Sequence, residues 1–124
     1  MKYLKIILIL VFLSLGISLI GYKIYQTQTL KSHIVYVRAI KDKWQFSPDQ
    51  IRIPVNETWY LHVYNEDNYD HGFFVEALNI NVNLPSRQEV IIPLKSDKIG
   101  EYPFMCSVIC GGGHYRMVGR IVVF

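Results

Sequence analysis

At 124 residues the chain has room for one compact domain, and its apolar content is uneven, the first quarter being far more apolar than the rest. The formal charge of +3 comes from Lys2, Lys5 and Lys23, because residues 24–124 carry ten basic and ten acidic side chains. Electrostatics therefore gives no support to nucleic-acid binding.

From Ile6 to Tyr22 no charged residue interrupts the apolar run, and at about 1.5 Å per residue a helix over it spans ~26 Å, close to the thickness of a bilayer core. Lys5 and Lys23 bracket the run, while Tyr3 and Tyr22 stand where amphipathic rings favour the interface. A cleaved signal peptide would be shorter in its apolar part and would be followed by small residues, whereas Tyr-Lys-Ile-Tyr-Gln follows Gly21. Residues 1–25 are thus expected to be a retained transmembrane helix. Lysines on both sides leave its orientation open. Gly16, Ser14, Ser18 and Gly21 offer a small-residue stripe of modest weight for packing on other membrane helices.

Residues 26–32 read as a short polar stalk, and residues 33–124 as a single β domain. Short runs rich in Val, Ile, Tyr and Phe alternate there with turn sequences such as Ser-Pro-Asp, Asn-Glu-Asp-Asn and Leu-Pro-Ser. Strands are expected near 33–40, 44–47, 51–55, 58–64, 73–77, 88–94, 101–106 and 117–124, which implies a two-sheet sandwich. Trp44, Phe46, Trp59, Phe73, Phe74, Tyr102 and Phe104 fall in or beside these strands and are expected to fill its core.

The chemistry-bearing stretch is Cys106-Ser-Val-Ile-Cys110-Gly-Gly-Gly-His114-Tyr-Arg-Met117. Thiolate, thioether and imidazole donors together select copper over hard cations, and consecutive glycines permit the tight backbone path a metal loop needs. A mononuclear site would use one thiolate, two imidazoles and a weak axial thioether. Two cysteines allow more: both sulfurs can bridge two copper ions, each ion taking one terminal histidine. The second histidine must come from elsewhere, and His71, beside Gly72 at the start of a strand, is the candidate. His62 alternates with apolar strand neighbours and His33 adjoins the stalk, so neither is expected to bind metal. A disulfide between Cys106 and Cys110 would close too small a loop to add much constraint and would leave His114 and Met117 unexplained. Structural zinc sites favour paired short spacings and do not call for a thioether.

Trp-Gln-Phe-Ser-Pro-Asp-Gln-Ile-Arg-Ile-Pro, His-Gly-Phe-Phe-Val-Glu, Asn-Ile-Asn-Val and Gly-Glu-Tyr-Pro-Phe-Met-Cys lead to this loop. Over residues 33–124 the pattern resembles the copper-A (CuA) domain of cytochrome c oxidase subunit II, in particular the short single-anchor form of B-family, ba-type haem–copper oxidases. The resemblance implies a cupredoxin-like Greek-key β-sandwich holding a dinuclear copper centre. It also implies that Cys106 and Cys110 bridge the coppers, that His71 and the axial sulfur of Met117 complete one ion, and that His114 with the Val108 carbonyl completes the other. By the same likeness the domain stands on the outer face of a prokaryotic cell membrane, takes electrons from cytochrome c and passes them to haem in the catalytic subunit I, where oxygen is reduced. Two departures qualify it. Residues 1–56 contain no glutamate, only Asp42 and Asp49 as acids, so a role in proton uptake is unsupported. The two-helix hairpin of longer relatives is missing, which also suits a free-standing, membrane-anchored copper redox or copper-delivery protein. Phe73, Phe104 and Met105 are expected to form the hydrophobic shell of the centre. Glu66, Asp67 and Asp70, crowded before His71, are read either as a steering surface for a basic donor or as a solvated turn.

Overall fold

The computed structural model describes residues 2–31 and 33–124. Met1 and Ser32, the first residue of the expected anchor and the last of the expected stalk, lie outside the described residues, as do the side chains of Lys2 and residues 27–31. The chain divides into two units, one running to His33 and one from Ile34 to Phe124.

The first unit is helix α1, Lys2–Lys31. It has no polar face: its described apolar side chains are exposed all round, and Tyr3–Gln26 is long and apolar enough to cross a membrane. An exposed apolar stretch of this length suits a non-aqueous surrounding such as a bilayer.

The second unit is a β-sandwich. Strands β1 (Ile34–Ile40), β2 (Gln45–Ser47), β4 (Trp59–Asn65) and β7 (Glu89–Leu94) form one sheet in the order β2-β1-β4-β7. The other is ordered β3-β9-β8-β5-β6, from β3 (Gln50–Ile53), β9 (Val118–Val123), β8 (Gly100–Met105), β5 (His71–Val75) and β6 (Ile80–Leu84). Alternation along the strands turns Val37 and Ala39, Leu61 and Val63, Ile92 and Leu94 inward from the first sheet. Ile51, Ile53, Phe73, Val75, Phe104, Ile121 and Val123 meet them from the second.

Three rings lie at the centre. Phe73 and Phe104 stack at 4.8 Å between centroids, and Phe46 meets both edge-on at 5.6 and 5.3 Å. Each fully buried Phe contributes about 1.5–3 kcal/mol from burial alone. Trp44, Trp59 and Tyr102 pack against this core only partly buried.

All eight expected strands are present, and a ninth, β6, was not expected. Its Ile80, Val82 and Leu84 alternate with Asn81 and Asn83, and asparagine favours turns over strands. Pairing with β5, Val75 opposite Ile80 through His71 opposite Leu84, overrides that preference. Trp44, expected to open a strand, instead sits in the turn before β2 with φ of 49°.

The same topology builds the site. Phe74, near the end of β5, faces Met105, and Met105 faces Val118; running antiparallel to β8, β5 therefore begins beside Cys106 and Ser107, just past the end of β8 and the start of β9. His71 and the 106–117 loop are thereby delivered to one place from segments far apart in sequence.

Candidate metal centre

The donors form a chain. Nδ1 of His71 lies 3.7 Å from Sγ of Cys106, the two Sγ atoms are 3.5 Å apart, and Nδ1 of His114 lies 3.7 Å from Sγ of Cys110. Both cysteines are free thiols. His71, Cys106 and Cys110 bring their donor atoms within 4.8 Å of one another. The sulfurs occupy the middle and one imidazole caps each end. The Val108 carbonyl oxygen lies 3.2 Å from Cys106 Sγ. Met117 is fully buried, and its backbone closes the loop by accepting from Cys106 N–H at 3.0 Å and donating to the His114 carbonyl at 3.1 Å. The structure therefore gathers His71, Cys106, Val108, Cys110 and His114, and buries Met117 in the same loop. His62 is elsewhere, 3.2 Å from Glu89.

His71 is held from behind. Its Nε2 lies 2.7 Å from Oδ2 of Asp67, and both side chains are 0% exposed. A carboxylate only accepts, so this contact fixes the proton on Nε2 and turns the Nδ1 lone pair towards the sulfurs. Asp67 is itself tied down: Oδ1 accepts from Asp42 N–H at 2.8 Å, and its own N–H donates to Asn65 Oδ1 at 2.9 Å. Asn65 in turn donates to the carbonyls of Tyr69 and Leu84, both at 2.9 Å.

Of the three loop acids, Asp67 is buried and belongs to neither a docking surface nor a solvated turn. Glu66 pairs with Arg38 at 3.1 Å, and the exposed Asp70 accepts from Asn83 and Ser86. Sequence reasoning missed Asp67 as the partner of His71; the signal was an acid four residues before a histidine, which is too common to single out. Met105, placed in the hydrophobic shell, is instead 42% exposed, because it points away from the core at the end of β8.

The two thiols differ electrostatically. Burial works against the Cys106 thiolate, but hydrogen bonding from His71, the backbone of Gly72 and Val108, and Cys110 outweighs it and brings the thiol down to about 6. The Gly72 N–H donates to this sulfur at 3.4 Å. Burial, then the neighbouring Cys106 sulfur, pushes Cys110 up to about 12. His71 moves upward: burial opposes its charged form, while Cys106 and Asp67 more than compensate. Two adjacent sulfurs cannot both ionise at neutral pH without a cation between them.

A two-sheet sandwich that gathers thiol, imidazole and thioether side chains at one end has the architecture of the cupredoxin class. The family described as a cupredoxin-like domain matches residues 7–123, and the chain belongs to it. Among curated relatives, a cytochrome c oxidase subunit 2 of Thermus thermophilus is 34% identical over 91 residues, covering 73% of this chain and 65% of the relative. A second cytochrome c oxidase subunit 2 from the same species is also 34% identical, and there the match covers 52% of the relative. The chain thus matches between half and two thirds of these proteins' length. Among solved structures, one chain of a heme-copper terminal oxidase dimer is 26% identical with a TM-score of 0.56, covering 73% of this chain and 60% of that one. The periplasmic domain of subunit II of the Bradyrhizobium japonicum cytochrome oxidase shares the fold at a TM-score of 0.63 and 17% identity, covering 73% and 83%. The expected likeness to oxidase subunit II is borne out.

Proposed function

We propose that this chain is the electron-accepting subunit of a haem–copper oxidase, taking electrons from cytochrome c and passing them to haem in the catalytic subunit. Residues 1–25 are its single membrane anchor, 26–32 a stalk and 33–124 the copper domain, on the outer face of a prokaryotic cell membrane. The observation that carries this reading is the pair of sulfurs 3.5 Å apart, one met by His71 and the other by His114. A site for one ion needs a single thiolate; two central sulfurs with an imidazole at each end suit two ions sharing both.

The residues present fit a dinuclear copper group. Cys106, Cys110, His71, His114, Met117 and the Val108 carbonyl would hold it. When bound, such a group takes up and releases one electron with little rearrangement, because the charge is shared by two ions.

The chain's own contribution is geometric and electrostatic. Asp67 keeps the proton of His71 on the far nitrogen. The Gly72 N–H and His71 stabilise negative charge on Cys106, and the buried Met117 shields its end of the loop from water. At the rim Ile109 and Tyr115 are 90% and 91% exposed, an apolar surface beside the centre open to a redox partner.

The full chain, purified in mild detergent and reconstituted with copper, is expected to hold two ions and give the spin-resonance signature of one electron shared between them. A single ion per chain would sink the dinuclear assignment. Haem co-purifying from the native membrane is expected, and a haem-free monomer would remove the oxidase in favour of a free-standing redox or copper-delivery protein.

A further inference from the structure

The three glycines before His114 are not equivalent. A Cβ on Gly112 would meet nothing within 4 Å. On Gly111, whose φ is 120°, it would come within 3.2 Å of Cζ2 and Nε1 of Trp44, and on Gly113 it would fall inside the Trp44 ring and Cβ. One indole thus touches the backbone on both sides of Gly112, burying Gly113 and lying against the still exposed Gly111. It arrives from the turn before β2, and its Nε1–H donates to the Cys110 carbonyl at 3.0 Å across 66 residues of sequence. Trp44 holds a left-handed backbone, which a bulky residue adopts only when its surroundings fix it.

The covered residues also build the turn that carries His114. Gly111 accepts from His114 N–H at 3.1 Å, and Gly113 accepts from Arg116 N–H at 2.9 Å. Fixing Gly111 and Gly113 therefore fixes the short 3-10 turn His114–Arg116, and with it the reach of His114 Nδ1 to Cys110. A ring that merely filled space would need neither the indole hydrogen bond nor the left-handed backbone.

We propose that Trp44 is a positioning residue that clamps the Cys110–His114 half of the metal loop into its binding shape before any metal arrives. The claim rests on the copper reading for its purpose, but the clamp itself belongs to the metal-free chain and is measurable there. Loss of the clamp leaves His114 on a loose loop and weakens metal capture, while the sandwich and the His71 half are untouched.

The test uses the full chain in detergent, with the two indole protons assigned through Trp59→Phe. In metal-free protein the Trp44 indole proton is expected to exchange at least about tenfold more slowly than a free indole. Gly113→Ala abolishes that protection and Gly112→Ala leaves it. In competition with a Cu(I) chelator, Trp44→Ala and Gly113→Ala are expected to bind copper about 10- to 100-fold more weakly. Trp44→Phe, keeping the ring without the donor, falls between these and wild type, and Gly112→Ala matches wild type. The copper absorption bands of Gly113→Ala shift with the affinity, which a general loss of stability would not produce. An unprotected Trp44 indole, or equal copper affinity for Gly113→Ala and Gly112→Ala, overturns the proposal. If Trp44→Ala fails to fold, Trp44→Phe and Gly113→Ala carry the test. If wild type takes up no copper, the copper reading fails while the indole proton still decides the clamp.

Discussion

The two ends of the donor chain are built by different means. His71 opens a strand, is wholly buried, and leans on an acid that is itself held by the Asp42 backbone and the Asn65 side chain. His114 stands half-exposed in a short turn of the loop, with Tyr115 against its ring at 5.2 Å. One imidazole is part of the sandwich; the other sits on a loop that Trp44 holds from the turn before β2. A site assembled in this way fixes one half through the core and the other through a single surface contact, so orientation at the first end and access at the second are not in competition.

Replacing each imidazole tests that contrast most severely. His71→Ala opens a buried space and strands Asp67, so the metal-free chain is expected to lose about 2–4 kcal/mol in a denaturant titration. His114→Ala should change metal-free stability by no more than about 0.5 kcal/mol. Equal losses would erase the distinction between the halves.

Asp67→Asn comes next. The amide retains some hydrogen bonding but no longer demands the proton on Nε2 of His71. Copper affinity is expected to fall by about 10-fold or more, with a metal-free destabilisation of about 1–2 kcal/mol. An unchanged affinity in chelator competition would make Asp67 a purely structural residue.

A gentler probe is pH. Around neutrality Cys106 is ionised and Cys110 still holds its proton, so metal capture by both sulfurs releases one proton from Cys110, and His71, raised by Cys106 and Asp67, releases its imidazolium proton as well wherever it is charged. Copper affinity should then rise by at least about tenfold for each pH unit across neutrality, and more steeply towards and below about 6, where Cys106 must also lose a proton. A flat profile between about pH 7 and 9 would show that the thiols are not split in this order. Smallest of all, Met117→Leu should keep both coppers and shift the reduction potential, read by redox titration; loss of copper would show that Met117 does more than sit axially.

Much of this was legible from the residues. Runs rich in Val, Ile, Tyr and Phe between turn sequences marked the strands, and the spacing Cys106, Cys110, His114, Met117 marked the loop, because both signals are local. Three features were not. Strand β6 was hidden by its asparagines, since only pairing with β5 makes it a strand. Asp67 looked like a surface acid because its burial depends on Asp42 N–H, 25 residues upstream. Trp44 looked like core filling because the loop it touches lies 66 residues downstream. In each case the missing information was a tertiary partner, and no propensity or spacing rule carries that.

Met105 and Val118 are opposite rungs of one antiparallel ladder. The intervening segment leaves and re-enters the sheet at the same height, so its length is not coupled to strand register. It can shrink or grow as an interchangeable cassette while the remaining strands keep their alignment. A shorter insert carrying a single sulfur would convert the same scaffold to a one-ion carrier, a route by which one architecture can serve several redox chemistries.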